Sequence, residues 1–71
     1  MNTKTEKPDA NVTQAIQALQ SGKPALTEQI CRAHLSSHPA SIEHLRLLGH
    51  ALQNQDKLDD AIEKFKLALN L

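Results

Sequence analysis

The sequence predicts an all-α domain of four helices, arranged as two tandem helix-turn-helix hairpins. The chain has 71 residues, enough for one small domain. Phe65 is its only aromatic residue, so the core must come mainly from Leu, Ile and Ala, which favour helices over strands. Apolar residues recur at helical spacing along most of the chain. A chain this short buries only about 60% of its unfolded surface, so we expect a low stability.

The composition argues against several classes of function. Eight basic and eight acidic residues give a formal net charge of zero, whereas nucleic acids and anionic membranes require a clustered basic surface. A single cysteine cannot form an internal disulfide. No apolar run approaches the roughly 18 residues of a membrane span. We therefore expect no nucleic-acid partner, no membrane partner and a cytoplasmic location.

The first helix is predicted to follow a disordered tail, residues 1–8, which has no apolar periodicity. Asp9 or Asn11 is expected to cap it. Its apolar face is predicted to contain Val12, Ala15, Ile16 and Leu19. Gly22 suits a left-handed helix end, and Pro24 is tolerated in the first turn of the next helix.

The second helix is predicted from Pro24 to Ser36. Its apolar stripe contains Leu26, Ile30, Cys31, His34 and Leu35. Pro39 ends this helix at or before His38, because a residue that precedes proline avoids the helical conformation.

The third helix is expected to be capped by Ser41, with Glu43 in its positively polarised first turn. Its stripe contains Leu45, Leu48, Gly49 and Leu52, widened by Leu47 and Ala51. Residues 54–57 are predicted to form the next turn.

The fourth helix has one apolar face, which contains Leu58, Ala61, Ile62, Phe65, Ala68 and Leu69. Asp60 and Lys64 are predicted to form a favourable i, i+4 pair. The first hairpin is thus predicted over residues 9–38 and the second over residues 39–71.

The two hairpins are related by a faint internal repeat. Val12, Ala15, Ile16 and Leu19 align with Leu45, Leu48, Gly49 and Leu52 at an offset of 33. Cys31 and Leu35 align with Phe65 and Leu69 at an offset of 34. The difference predicts one extra residue in the second turn.

The second hairpin resembles a tetratricopeptide repeat (TPR), whose unit is about 34 residues long. The matching positions are Leu45, Leu48, Gly49 and Leu52 in one helix, Ala61, Phe65 and Ala68 in the next, and Pro39 for the preceding repeat. The small Gly49 and Ala61 are expected to let the helices approach closely, and Phe65 to wedge between the hairpins. The first repeat departs from the family pattern at Ile16, Thr27 and His34, and is interpreted as a diverged or capping repeat.

The resemblance implies a binding surface for a protein or peptide rather than a catalyst. The family's groove positions correspond here to Thr13, Gln17, Gln20, Glu43, Arg46, His50, Gln53 and Asn54. A merely solvated helix face explains the same polar pattern equally well. Leu47 and His50 stand where the carboxylate-binding members have asparagines, so recognition of a C-terminal carboxylate is not predicted.

We expect the second repeat to be incomplete at its C-terminus and to lack a capping helix, whereas such arrays usually need three repeats and a cap. The exposed part of the fourth helix predicts a self-association face formed by Leu58, Ile62, Phe65 and Leu69. Either the chain is a fragment of a longer array, or it forms a homodimer through this face. Residues 30–35 also resemble repeats that precede bacterial sulfotransferase domains, which implies as the alternative an N-terminal part of a larger enzyme that positions its catalytic part or its protein substrate.

No residue pattern indicates catalysis, a metal site or a cofactor. Cys31, His34 and His38 have a spacing that could gather three zinc ligands, but Cys31 occupies a core position and no fourth ligand is near. The same core position argues against a nucleophilic thiol. Asp59 and Asp60 are explained by the start of a helix. We therefore expect that the chain is not an enzyme.

Overall fold

The computed structural model describes residues 7–71, with side chains described from residue 11 onward. Four helices follow one another: α1 (Lys7–Gln20), α2 (Pro24–Ser37), α3 (Ile42–Asn54) and α4 (Leu58–Asn70). Each packs against the next, and α1 also contacts α3. The predicted all-α class and its two hairpins are confirmed. None of the helices in the described part is long and apolar enough to cross a membrane.

The start of α1 differs from the prediction. Of the predicted tail, residues 1–6 lie outside the described part, whereas Lys7 and Pro8 are already helical. A proline in the first turn costs no hydrogen bond, so Pro8 does not delay the helix. Asp9 and Asn11 therefore lie inside α1, and neither is the cap.

The turns inside the two hairpins, from α1 to α2 and from α3 to α4, are closed by the same pair of hydrogen bonds. In the first, Lys23 N–H donates to Ala18 O at 2.9 Å and Gly22 N–H to Leu19 O at 3.2 Å. In the second, Lys57 N–H donates to Leu52 O at 2.9 Å and Asp56 N–H to Gln53 O at 3.0 Å. Both patterns are Schellman motifs, with a left-handed residue after the helix. Gly22 has a φ of 77° and Asp56 a φ of 62°.

The hairpins are therefore equivalent at a constant offset of 34, which relates Ala18 to Leu52 and continues through the turns into α2 and α4. The extra residue predicted in the second turn is wrong, because both turns have three residues between their helices. In the corrected register Ala15, and not Ile16, is equivalent to Gly49. Ala15 is completely buried, as a small residue at a close helix approach should be.

All four helices contribute to the core, and α4 does so mainly through one small residue, Ala61. The central cluster contains Ala15, Cys31, Leu48, Leu52 and Ala61. Leu26 was predicted to be part of the α2 stripe, but it is 43% exposed. Thr27, one helical position further, is completely buried and donates its hydroxyl hydrogen to Ala15 O at 3.2 Å. Thr27 is therefore buried at the position expected for Leu26, because the backbone oxygen of Ala15 accepts its hydroxyl hydrogen.

The second hairpin is closed by a contact between Gly49 and Phe65. A Cβ added to Gly49 would lie 2.6 Å from Phe65 Cε1, so only glycine fits under the ring at this distance. The Phe65 ring also meets the His50 ring edge-on, with centroids 5.1 Å apart. The predicted close approach at Gly49 is confirmed. The predicted wedge between the hairpins is wrong, because these contacts of Phe65 are with α3 of its own hairpin.

The polar link between the hairpins is centred on Glu28 of α2. Its carboxylate accepts hydrogen bonds from Arg32 Nε at 2.8 Å and Gln55 Nε2 at 2.9 Å, and lies 3.5 Å from Lys57 Nζ. Its contacts with Arg32 and Lys57 are the only ion pairs among the described residues. The predicted pair of Asp60 and Lys64 does not form, because a surface ion pair gains little by fixing two long side chains in one geometry.

Candidate functional site

The described surface contains one continuous stripe of exposed polar side chains on α3, which we call the α3 stripe. All five of its residues are exposed: Glu43, Arg46, His50, Gln53 and Asn54. At 3.6 residues per turn, these positions fall within an arc of about 100° on the helix. All five were predicted to be groove residues, and the structure brings them together on one face.

The side chains of the α3 stripe have unused hydrogen-bonding capacity. Within residues 11–71, none of them forms a hydrogen bond or an ion pair. The polar residues around Glu28, by contrast, are already engaged with one another. The hydrogen bonds from Arg32 and then Gln55, together with the charge of Lys57, hold the pKa of the Glu28 carboxyl below its usual value. The α3 stripe is thus available to a ligand, whereas the Glu28 cluster is committed to the fold.

The predicted groove residues of α1 are exposed but do not extend the α3 stripe as a set. In the corrected register Gln20 is equivalent to Asn54, a member of the stripe. Thr13 and Gln17 are instead equivalent to Leu47 and Ala51, which pack into the core. Gln17 lines a separate groove of about 490 Å³ with Leu26 and Ile30 of α2. The structure therefore brings Gln17 next to α2 rather than next to the α3 stripe.

Three half-buried apolar residues of α1 occupy the positions equivalent to the α3 stripe. Val12, Ile16 and Leu19 correspond to Arg46, His50 and Gln53 at the constant offset of 34. Sequence reasoning assigned them only to the core, because the offset of 33 matched one apolar stripe to another. The equal lengths of the two turns are the signal that would have given the correct register.

A buried histidine joins the two hairpins, and sequence reasoning missed it. His44 of α3 is 2% exposed, and its Nε2 lies 2.7 Å from Asn11 Oδ1 of α1. Its Nδ1 lies 2.7 Å from Ser41 Oγ, so Ser41 occupies the N-cap position of α3 but its side chain makes no hydrogen bond to the backbone there. The His44 ring stacks on His34 of α2 at 3.7 Å, and His34 stacks on His38 at 4.5 Å. The signal that would have found it is its position four residues before Leu48 and seven before Ala51, which puts His44 on the buried face of α3.

This environment disfavours the charged form of His44. Burial is the main cause that lowers the pKa of its imidazole, and the neighbouring His34 adds to the effect, while Glu43 opposes it. The neutral ring donates one hydrogen and accepts another, which matches one partner on each side. His44 therefore acts as a structural joint of α1, α2 and α3.

The zinc and thiol interpretations of Cys31 gain no support from its surroundings. Cys31 is completely buried, and burial raises the pKa of its thiol to about 11. A reactive thiolate requires exposure and nearby positive charge. The described residues contain no group of three or more His, Cys, Asp or Glu side chains that could hold a metal ion.

The outer face of α4 is apolar and uncovered. Leu58, Ile62 and Leu69 are 54%, 52% and 85% exposed, and Phe65 is half-buried. A shallow groove of about 370 Å³ lies beside this face and is lined by Ile42, Arg46, Phe65, Ala68 and Leu69. The four α4 residues predicted for self-association thus lie on this face, and two of them, Phe65 and Leu69, also line the groove.

Comparison of the chain with protein-family models, with curated proteins and with solved structures finds no match.

Proposed function

We propose that this chain is a non-catalytic protein-protein interaction module of the TPR type, which binds a peptide or a segment of a partner protein. The observation on which the proposal depends is the α3 stripe, a row of five exposed polar side chains with unused hydrogen-bonding capacity. The Glu28 cluster and His44 join the hairpins, whereas this row is left to solvent.

The constant repeat register supports the TPR interpretation. Two hairpins of equal turn geometry follow each other at a spacing that matches the TPR unit of about 34 residues. Gly49 under Phe65 supplies a physical reason for the small and large residues of the family pattern. In such stacked hairpins the first helices of successive repeats line a common concave surface, and α1 does contact α3.

The chemistry of this surface suggests the kind of segment that it binds. On α1 the equivalent positions hold the half-buried Val12, Ile16 and Leu19, which favour apolar side chains. On α3 the stripe offers one cation, Arg46, and the amides of Gln53 and Asn54, which favour carboxylate, hydroxyl and backbone groups. We therefore expect a ligand segment with apolar residues at one end and acidic or hydrogen-bonding residues at the other.

A peptide-display selection tests this proposal. The immobilised protein is panned against a random peptide library, with a counter-selection on the variant Arg46→Glu, Gln53→Ala. We expect peptides with the apolar and acidic pattern, which bind the unaltered protein and lose at least about tenfold in affinity for the variant.

The matched control is Glu63→Ala, an exposed position on α4 outside the stripe. It should leave peptide affinity unchanged. Selected peptides that bind the Arg46→Glu, Gln53→Ala variant as tightly as the unaltered protein contradict the proposal, and so does a selection that enriches no sequence.

A further inference from the structure

The exposed apolar residues of α4 have the spacing of a helix-pairing seam. Leu58, Ile62, Phe65 and Leu69 follow one another at intervals of four, three and four residues, which is the a and d pattern of a heptad. Three of them are more than half exposed, although such side chains gain free energy by burial. The described structure therefore leaves a complete seam without a partner helix.

The two edges of this seam differ, and the difference determines whether a partner helix packs parallel or antiparallel to α4. Ala61 and Ala68 form one edge and are buried, which is the side that packs on α3. Asp59 and Lys66 form the other edge, and both are exposed. The free edge thus has a negative charge near the start of α4 and a positive charge near its end.

A second copy of the same helix, laid antiparallel, is complementary to this arrangement. A twofold axis between Ile62 and Phe65 places Ile62 opposite Phe65 of the second copy, and Leu58 opposite Leu69. The free edges then face each other, so that Asp59 of each copy lies next to Lys66 of the other. A parallel pairing brings the charged edge of one copy against the alanine edge of the other, and forms no such pair.

We propose that two copies of this chain associate through an antiparallel pairing of their α4 helices, with Asp59 and Lys66 forming two reciprocal ion pairs. The pairing covers Leu58, Ile62 and Leu69 on both copies, and the groove beside Phe65 receives the start of the opposite α4. This surface meets the α3 stripe only at Arg46, which lines the groove beside Phe65, and the variants that test dimerisation leave Arg46 unaltered.

Solution molar mass tests the proposal, measured by light scattering from about 1 μM to about 1 mM protein. We expect a reversible conversion of monomer to dimer. Ile62→Lys should weaken the dimer at least about a hundredfold, since it buries two unpaired charges in the seam. Leu67→Lys is the matched control on the same helix, because Leu67 is 46% exposed but lies outside the seam, and it should leave association unchanged.

A charge exchange tests the antiparallel register. Asp59→Lys alone and Lys66→Asp alone each create two like-charge contacts, and each should weaken the dimer about tenfold. The double variant Asp59→Lys, Lys66→Asp recreates the two ion pairs and should recover most of the loss. Circular dichroism of each variant checks that the helices are intact.

A monomer at every concentration, as expected if another protein covers α4, overturns the proposal. A dimer that persists in Ile62→Lys also overturns it, since the contact then lies elsewhere. A double variant that dimerises no better than the single variants overturns the antiparallel register. None of these results affects the peptide-binding proposal, which is tested on α3.

Discussion

Asp56 occupies in the second hairpin the left-handed backbone position that Gly22 occupies in the first. The φ angles are 62° and 77°, and both turns have the same two Schellman hydrogen bonds. A non-glycine residue in this conformation is strained, although aspartate tolerates it better than most. The left-handed position of the turn is therefore occupied by glycine, which adopts it without strain, in one hairpin and by the strained Asp56 in the other.

Substitutions at these two positions should have opposite effects on stability. Asp56→Gly should raise the free energy of unfolding by up to about 1 kcal/mol, because glycine relieves the left-handed strain. Gly22→Ala should lower it by about 1 kcal/mol, because a Cβ there meets no heavy atom within 4 Å and only the backbone conformation is affected. Urea unfolding of the purified variants measures both. Equal effects of the same sign would show that the two turns are not equivalent.

The contact of Gly49 with Phe65 should reverse the usual effect of alanine in a helix. Gly49→Ala should destabilise the chain by about 1 kcal/mol, because the crowding of the ring outweighs the gain in helix propensity. In a Phe65→Leu background the same change should become stabilising, since no ring atoms remain above the added methyl group. Thermal and urea unfolding of the four proteins in this cycle give the coupling energy. A stabilising Gly49→Ala in the unaltered chain would contradict the observed closeness.

The buried His44 predicts a loss of stability in mild acid. Its pKa is lowered from the usual 6.5 in the folded state, so above that pH the ring is neutral whether the chain is folded or unfolded. As the pH falls below 6.5, the unfolded chain binds the proton first, and the free energy of unfolding decreases until the pH passes the lower pKa of the folded state. The titratable groups around His44 are His34 and His38 from the α2 side and Glu43 on α3.

The measurement is urea unfolding at about pH 7.5 and about pH 5.5, on the unaltered chain and on His44→Gln. Glutamine keeps a donor and an acceptor for Asn11 and Ser41 but does not titrate in this range. The decrease in stability between the two pH values should be smaller in the variant. An identical decrease in both proteins would assign the pH dependence to other groups.

The Glu28 cluster predicts a modest contribution to the joint between the hairpins. Glu28→Gln should lower the free energy of unfolding by less than about 1 kcal/mol, because Arg32 and Lys57 are both about half exposed. The lowered pKa of Glu28 means that its contribution is present above the usual value of 4.5 and is lost as the pH falls through the lower folded-state value. The difference between the two proteins should therefore disappear in strong acid. A difference that stays constant down to about pH 2 would show that the charge of Glu28 is not the cause.

The sequence was sufficient for the helices but not for the register between the hairpins. Periodicity and the punctuation by Gly22, Pro24 and Pro39 predicted four helices, and three of the four starts agree with the structure. The offset of 33 was wrong because apolar spacing alone cannot distinguish the core face of α1 from the adjacent face. The equal lengths of the two turns and their matching hydrogen bonds fix that choice.

The polar interior was the second part that periodicity did not reveal. Thr27 and His44 are buried because each finds hydrogen-bond partners on a neighbouring helix, Ala15 O for the first and Asn11 for the second. Such partners become adjacent only in the folded chain, so apolar spacing can mark the buried face but does not show that a polar side chain on it has a partner. The predicted groove residues lie together on α3 but not on α1. In the corrected register Thr13 and Gln17 are equivalent to Leu47 and Ala51, which lie outside the α3 stripe.

The most direct test of the proposed binding surface is to map a selected peptide by NMR. A ¹⁵N-labelled sample is titrated with one peptide from the display selection, and amide shifts are followed across the described residues. We expect the largest shifts on α3, from Glu43 to Asn54, with smaller shifts on α1 near Val12 and Ile16. Shifts confined to α4, or spread evenly over the chain, would contradict the assignment of the α3 stripe as the binding surface.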